Sequence, residues 1–120
     1  MIYLAVDGDK GIFALLPHSR IMLEVHTCLL PDLWGARALE AAAALLAWVW
    51  ENTICERLIT AVAHHNRLAF RFAQKAGLEI YGRNPMAFKK NGKLEDIVML
   101  GISRPGVLIA DIPRGGIPCL

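Results

Sequence analysis

Residues 66–78, NRLAFRFAQKAGL, decide the fold class, because they describe a short helix with both of its ends marked. Asn66 is a good N-cap, since its side-chain oxygen can accept a hydrogen bond from a free backbone N–H of the first turn. Gly77 suits the left-handed position that follows a helix. One apolar stripe at helical spacing runs between them, formed by Leu68, Ala69, Phe72 and Ala76. The stretch therefore predicts a capped helix over 66–76.

A basic stripe occupies the other face of this predicted helix. Arg67, Arg71 and Lys75 recur every four residues. Residues 67–93 hold seven Lys and Arg and a single acidic residue, Glu79. That local excess favours a small ligand that carries phosphate, although an ordinary solvated face is the alternative. The net charge of +2 is too small to indicate a nucleic-acid partner.

The composition indicates one domain with an unusually apolar surface. Of the 120 residues, 55% are hydrophobic, which predicts a homodimer or another homo-oligomer. The longest uncharged apolar run, 41–50, is about half of the ~20 residues that a membrane span needs. No signal peptide precedes the first strand, so we expect a cytoplasmic protein. The cysteines have no metal-ligand spacing, so they are expected to be reduced thiols without a metal: Cys28, Cys55 and Cys119.

The rest of the chain alternates between strand and helix patterns. The predicted strands are 2–6, 12–16, 21–30, 57–63, 79–83, 86–90 and 96–102, and the predicted helices are 36–51 and 66–76. Helix 36–51 is apolar on nearly every face, so we expect it to be covered on more than one side. Asn91-Gly92 predicts a hairpin turn. The order βββ-α-β-α-ββ indicates a mixed sheet with two helices, α/β or α+β.

The predicted domain spans residues 1–104. Residues 105–120 are rich in Pro and Gly, so they are expected to form a tail or an arm. Within that tail, 107–109 is a candidate for an added strand.

Three motifs in this order resemble the GNAT superfamily of N-acetyltransferases, most closely its ribosomal-protein N-terminal acetyltransferase branch. The first is a strand that ends at a Pro, a Trp-Gly loop and a helix with Glu-Ala, here Pro31, Trp34-Gly35 and Glu40-Ala41. The second places five residues at the family's spacing, namely Asn66, Ala69, Lys75, Gly77 and Leu78. The third is the closing hairpin, Asn91-Gly92 followed by Asp96. The match covers about residues 20–104, and the short form resembles GNAT-like proteins of bacteriophages.

The resemblance implies a GNAT-like mixed, mostly antiparallel sheet flanked by helices, without the usual N-terminal strand and helices. It also implies that two parallel strands separate around acetyl-CoA. The pyrophosphate would lie on the N–H groups of residues 33–38 at a helix N-terminus. The cofactor-binding residues that it implies are Leu29, Leu30, Leu33, Trp34, Gly35, Ala36, Arg37, Ala38, Asn66, Phe70, Arg71 and Lys75.

Two features depart from the family's pattern. The family's pyrophosphate loop has Gln or Arg where this chain has Asp32, and Gly or Ala where it has Arg37, or else the loop is one residue shorter than in its relatives. Arg37 could contact phosphate directly, whereas Asp32 would repel it if close. Many family members also use a Tyr as the general acid toward the leaving thiolate, and Ala73 stands at that position.

Glu24 and His26 are the candidate catalytic residues, because they alternate onto one face of the third predicted strand. Either can act as the general base that takes a proton from an amine; an exposed or paired polar face is the alternative. The expected function is transfer of acetyl from acetyl-CoA to a primary amine by direct attack.

A different class of function remains open at this point. The alternative is a non-catalytic GNAT-like bacteriophage protein that acts in assembly or as a protein-interaction module. In that case a side chain such as Trp34 or Arg37 could plug the cleft. A further alternative is that another subunit supplies the missing wall of the acceptor site.

Overall fold

The computed structural model describes residues 1–110. Cys119 and the end of the predicted tail lie outside the described residues. The strands are β1 (Ile2–Val6), β2 (Gly11–Pro17), β3 (Met22–Leu29), β4 (Arg57–Ala63), β5 (Glu79–Lys90) and β6 (Lys93–Ser103). The helices are α1 (Ala36–Asn52) and α2 (Arg67–Lys75), and a short 3-10 turn over Pro31–Leu33 precedes α1.

All six strands form one sheet, in the order β1-β2-β3-β4-β6-β5. Within residues 1–110, β3 and β4 are the only parallel neighbours, and the other pairs are antiparallel. The predicted class, a mixed and mostly antiparallel sheet with two helices, is therefore confirmed. The predicted element order is confirmed as well, because each strand and helix predicted within residues 1–104 falls on one of these elements, with 79–83 and 86–90 both in β5.

The predicted break at Asn84-Pro85 is wrong, because β5 continues through it. The register between β5 and β6 shifts between Asn84 and Phe88, and Met86 takes a left-handed φ of 52° there. The backbone N–H of Met86 donates to the Asp96 carboxylate at 3.1 Å. The irregularity is thus satisfied as a bulge that does not end the strand.

Both helices pack on one side of the sheet, which we call the covered face. Leu58 of β4 lies in the core cluster with Leu45 and Val49 of α1. Val62, four residues further along β4 and so on the same face, lies in the cluster with Ala73 of α2. The opposite side is the open face, over which no helix of residues 1–110 lies.

Among residues 1–110, other elements cover helix α1 on one side only, so the expectation of cover on more than one side is not met within that range. Its buried residues are Ala38, Ala42, Leu45 and Val49. The other sides expose alanines, including Ala43 and Ala47, which favour the helix without needing burial. No helix within residues 1–110 is long and apolar enough to cross a membrane.

Helix α2 has the predicted ends but a shifted apolar face. Asn66 Oδ1 accepts from the Ala69 N–H at 3.2 Å. Gly77 has a φ of 104°, and the Leu78 N–H reaches back to the Ala73 carbonyl at 3.0 Å, as in a Schellman motif. Leu68 is 69% exposed, so its place in the predicted apolar stripe is wrong. The sheet instead buries Ala73, because small residues let the helix lie close to the strands.

Arg104 joins the end of β6 to the end of α1. Its guanidinium donates to the carbonyls of Trp50, Cys55 and Thr53, at 2.6, 2.9 and 2.7 Å respectively. It also lies over the Trp50 ring. Beyond it, residues 107–109 form no strand, so that expectation is wrong. The domain boundary at residue 104 stays a prediction.

Candidate active site

The site begins where β3 and β4 separate. The two strands pair at three positions only, from Met22 opposite Arg57 to Glu24 opposite Ile59. The Thr60 hydroxyl then donates to the Val25 carbonyl at 3.0 Å. Beyond this bond the strands diverge, so a cleft opens between their carboxyl ends. The separated parallel strands that the family resemblance implied are therefore present.

A cavity of about 240 Å³ lies in this cleft, on the covered face. Its walls come from both separated strands and from both helices. Most of the lining is apolar, and much of it is alanine, including Ala42 of α1 and Ala69 and Ala73 of α2. The polar residues on the wall are His26, Thr27, Thr60 and Asn66. The cleft is thus open, and neither Trp34 nor Arg37 plugs it.

The loop between β3 and α1 is fixed at two points. Leu33 is fully buried, and the indole N–H of Trp34 donates to the Leu29 carbonyl at 3.1 Å. Gly35 then takes a φ of 85° as the N-cap of α1, a conformation that side-chain-bearing residues rarely adopt. The loop therefore holds the start of the 17-residue helix α1 in one position.

The N-terminus of α1 presents unused donors. The first hydrogen bond of the helix runs from the Leu39 N–H to the Gly35 carbonyl, and no side chain caps the end. The N–H groups of residues 36–38 thus have no partner within the described chain. Together with the helix dipole, such groups suit an anionic ligand. Gly35 adds open space at this end, since a Cβ built there would meet nothing within 4 Å.

The turn between β1 and β2 contributes a residue that the sequence did not indicate. Lys10 Nζ lies 2.9 Å from the Asp32 carboxylate, and the Leu30 N–H donates to the Lys10 carbonyl at 2.9 Å. Lys10 therefore offsets the negative charge that departs from the family's loop, within the limits of an exposed pair. Because 22 residues separate the partners, local pattern carried no signal of the contact.

The structure separates the cofactor-binding residues predicted on α2 and at its N-cap into those that line the cavity and those that do not. Asn66 lines the cavity, whereas Phe70, Arg71 and Lys75 do not. Phe70 packs against the second core cluster, and Arg71 and Lys75 are exposed on the outer side of the helix. Phe72 lines the cavity although the sequence assigned it only to the apolar stripe. A phosphate contact for Arg71 or Lys75 stays a prediction.

Glu24 lies between two histidines at the edge of the cleft. Its Oε1 is hydrogen bonded to His18 Nε2 at 2.7 Å, and its Oε2 lies 2.7 Å from His26 Nε2. The Glu24 side chain is only 17% exposed. Of these three residues, His26 alone lines the cavity. His18 directly follows Pro17, the last residue of β2, and no sequence pattern indicated a role for it.

The tyrosines lie away from the cavity. Ala73 is buried in the cavity wall where many relatives have the Tyr, and no tyrosine of residues 1–110 lines the cavity. Tyr81 lies on β5 under the guanidinium of Arg57. His65 contacts the Glu95 carboxylate, and His64 Nδ1 lies 3.4 Å from Arg83.

The separated strands, the cavity and the free helix N-terminus together define an acetyltransferase fold. The family model of the acetyltransferase (GNAT) domain matches residues 4–79. The chain belongs to this family. No curated protein matches the chain.

Solved structures of acetyltransferases share this fold. A mutant spermidine N-acetyltransferase from Vibrio cholerae has a TM-score of 0.73 at 16% identity, over 84% of this chain and 63% of that one. The same enzyme in complex with CoA and spermine has a TM-score of 0.69 at 19% identity, over 78% and 57%. A GNAT-family acetyltransferase from Bacillus anthracis has a TM-score of 0.69 at 19% identity, also over 78% and 57%. The chain spans less than two thirds of the length of these proteins.

Proposed function

We propose that the chain is an N-acetyltransferase domain that binds acetyl-CoA between β3 and β4 and transfers acetyl to a primary amine. The separation of these two parallel strands above a 240 Å³ cavity carries the proposal. The family match and the neighbour in complex with CoA and spermine support it.

The residues present fit the cofactor at both of its ends. The free N–H groups of residues 36–38 suit the pyrophosphate. The apolar cavity behind them suits the uncharged arm that carries the thioester. The exposed edges of β3 and β4 offer backbone groups that can pair with the amides of that arm. Two cations lie close to the N-terminus of α1 in the chain: Arg37 in its first turn, and Lys10, which pairs with Asp32 in the preceding loop.

The acceptor amine reaches the thioester from the open face. Glu24 and His26 lie on that face of β3, opposite Val25, which packs in the core. The amine nitrogen attacks the thioester carbonyl carbon, the C–S bond breaks, and CoA leaves as the thiolate. The Glu24–His26 pair takes the proton that the amine loses. The remainder of catalysis is positioning of the two reactants.

Finer assignments stay predictions. They are membership of the ribosomal-protein branch, which rests on the resemblance, a homodimer or other homo-oligomer, which rests on the apolar composition, and a cytoplasmic location. None of them is needed for the chemistry above.

Titration calorimetry with acetyl-CoA tests the proposal. We expect binding in the micromolar range, and we expect Gly35→Glu to abolish it by placing a carboxylate at the helix N-terminus. Gly92→Glu is the matched control. Gly92, in the β5–β6 turn, also has a positive φ, 76°, and an open Cβ direction, so it reproduces the backbone strain and the added charge away from the cleft.

Either of two results would overturn the proposal. One is no heat of binding at millimolar acetyl-CoA. The other is an equal loss of binding in Gly35→Glu and Gly92→Glu while circular dichroism shows that both variants are folded, which would place the cofactor elsewhere.

A further inference from the structure

We propose that His26 is the general base of the transfer and that Glu24 and His18 are its positioning residues. This assignment rests on the proposed function. It resolves the choice between Glu24 and His26, and it adds a residue, His18, to the site.

Position and exposure separate the two candidate bases. His26 borders the cleft and Glu24 does not, and the His26 side chain projects to the open face, from which the amine arrives. The imidazole of His26 is 56% exposed, so an amine can reach it, whereas the Glu24 side chain is 17% exposed. Both carboxylate oxygens of Glu24 are already within 2.7 Å of an imidazole nitrogen. The low exposure of Glu24, with an imidazole against each oxygen, leaves an amine little room to approach the remaining lone pairs of the carboxylate.

The contact with Glu24 selects the useful tautomer of His26. The tautomer of an imidazole is set by the hydrogen bond that one of its nitrogens makes. A carboxylate oxygen 2.7 Å from a bare lone pair on Nε2 would repel it, so the proton lies on Nε2 and the lone pair lies on Nδ1. That nitrogen accepts the proton from the attacking amine, and the imidazolium that forms is stabilised by the adjacent carboxylate. Solvent then takes the proton from His26, and CoA departs as the thiolate.

His18 fixes the carboxylate. It follows β2, whereas Glu24 lies on β3, so their 2.7 Å hydrogen bond joins two segments of chain. With Oε1 held by His18, the carboxylate cannot rotate Oε2 away from His26. Leu16 lies opposite Glu24 on β2 and Ile59 lies opposite it on β4, and neither can replace His18 as a donor.

The residues next in register to Glu24 and His26 on the open face are engaged elsewhere or uncharged. Arg57 of β4 is bound to the Ser103 hydroxyl and lies against Tyr81. Opposite His26 on β2 stands Ala14, followed by Tyr3 on β1. Cys28, the next residue on this face of β3, is exposed. The three residues His18, Glu24 and His26 thus act as one unit.

Nitrogen-15 NMR of the histidine side chains tests the assignment without any substrate. At a pH where His26 is neutral, we expect the signal of one tautomer, with the proton on Nε2. Glu24→Gln and His18→Ala should each give a mixture of tautomers. His18→Gln, which keeps a donor, should restore part of the preference. A mixed tautomer in the unchanged protein, or no effect of Glu24→Gln, would overturn the proposal whether or not the protein turns over acetyl-CoA.

Kinetics provide the second test, with spermidine and benzylamine as probe amines and release of the CoA thiol as the signal. His26→Ala should lower kcat by on the order of 100- to 10,000-fold. His18→Ala should lower it roughly tenfold to 100-fold through misplacement. In both variants the KM for acetyl-CoA should be unchanged. Cys28→Ala, on the same face of β3, is the control and should leave kcat unaltered.

The kinetic outcomes distinguish this proposal from the proposed function. Unchanged kcat in His26→Ala, with intact acetyl-CoA binding, would overturn the base assignment alone. If the unchanged protein does not bind acetyl-CoA, the proposed function is overturned. The NMR result would still decide whether Glu24 positions His26.

Discussion

The two faces of the sheet differ in what holds them together. On the covered face, Leu15, Leu58 and Leu100 are fully buried against helices or neighbouring strands, so burial of apolar surface stabilises it. On the open face, Tyr3 and Ile12 are exposed and polar side chains hold one another, as His18 and Glu24 do. The covered face therefore accounts for the fold and the cofactor cavity, whereas the open face carries the candidate base.

One cysteine on each face gives the largest expected contrast. Cys55 is buried in the core beneath α1, and burial raises the pKa of its thiol; Cys28 on β3 is exposed. Because the thiolate is the reactive form, iodoacetamide should modify Cys55 on the order of 1,000-fold more slowly than Cys28. Mass spectrometry of peptides from a Cys119→Ser background measures both rates.

The raised pKa of Cys55 also makes the stability of the folded protein depend on pH. A raised pKa in the folded state means that the unfolded chain loses the Cys55 proton first as pH rises. The contribution of the protonated Cys55 thiol to the free energy of unfolding is therefore complete at neutral pH. It is lost in alkaline solution, as pH rises through the pKa of the folded state. Equal modification rates for Cys28 and Cys55 in folded protein would show that the covered face is not closed.

Adjacent leucines of β2 compare the faces energetically. Leu15 is fully buried on the covered face and Leu16 is half-buried on the open face. Leu15→Ala should lower the free energy of unfolding by about 3 kcal/mol, through lost transfer energy and a cavity. Leu16→Ala should cost about 1 kcal/mol. Urea denaturation measures both, and equal losses would indicate that the open face is itself covered in solution.

Most of the fold was predictable because its signals are local. The cap at Asn66, the turn at Asn91-Gly92 and the alternation of Glu24 and His26 each depend on residues close in sequence. The phase of α2 was predicted wrongly at Leu68, since a nine-residue helix with apolar residues at most positions fits more than one buried face.

The candidate site was less predictable, because its contacts join distant segments. Lys10 meets Asp32 through the placement of two loops, and His18 meets Glu24 through the hairpin that precedes β3. Neither loop conformation follows from composition or periodicity. The family resemblance supplied the loop at Gly35, but it supplied no account of which polar groups would pair around it.

A substitution in the basic stripe on α2 has the smallest expected effect. It tests where the cofactor site on the covered face ends. Arg71 is exposed and outside the cavity, so a contact with a phosphate of acetyl-CoA would be solvated. Arg71→Gln should weaken binding about fivefold at low salt, or about 1 kcal/mol. The difference should shrink at high salt because exposed charges are screened.

Lys90→Gln is the matched control for this substitution, since Lys90 is an exposed cation at the end of β5. A CoA derivative without its 3′-phosphate should bind the unchanged protein and Arg71→Gln equally if Arg71 contacts that group. Equal weakening by Arg71→Gln and Lys90→Gln would instead assign the effect to net charge. In that case the stripe is an ordinary solvated face, and the cofactor site ends at Asn66 and the N-terminus of α1.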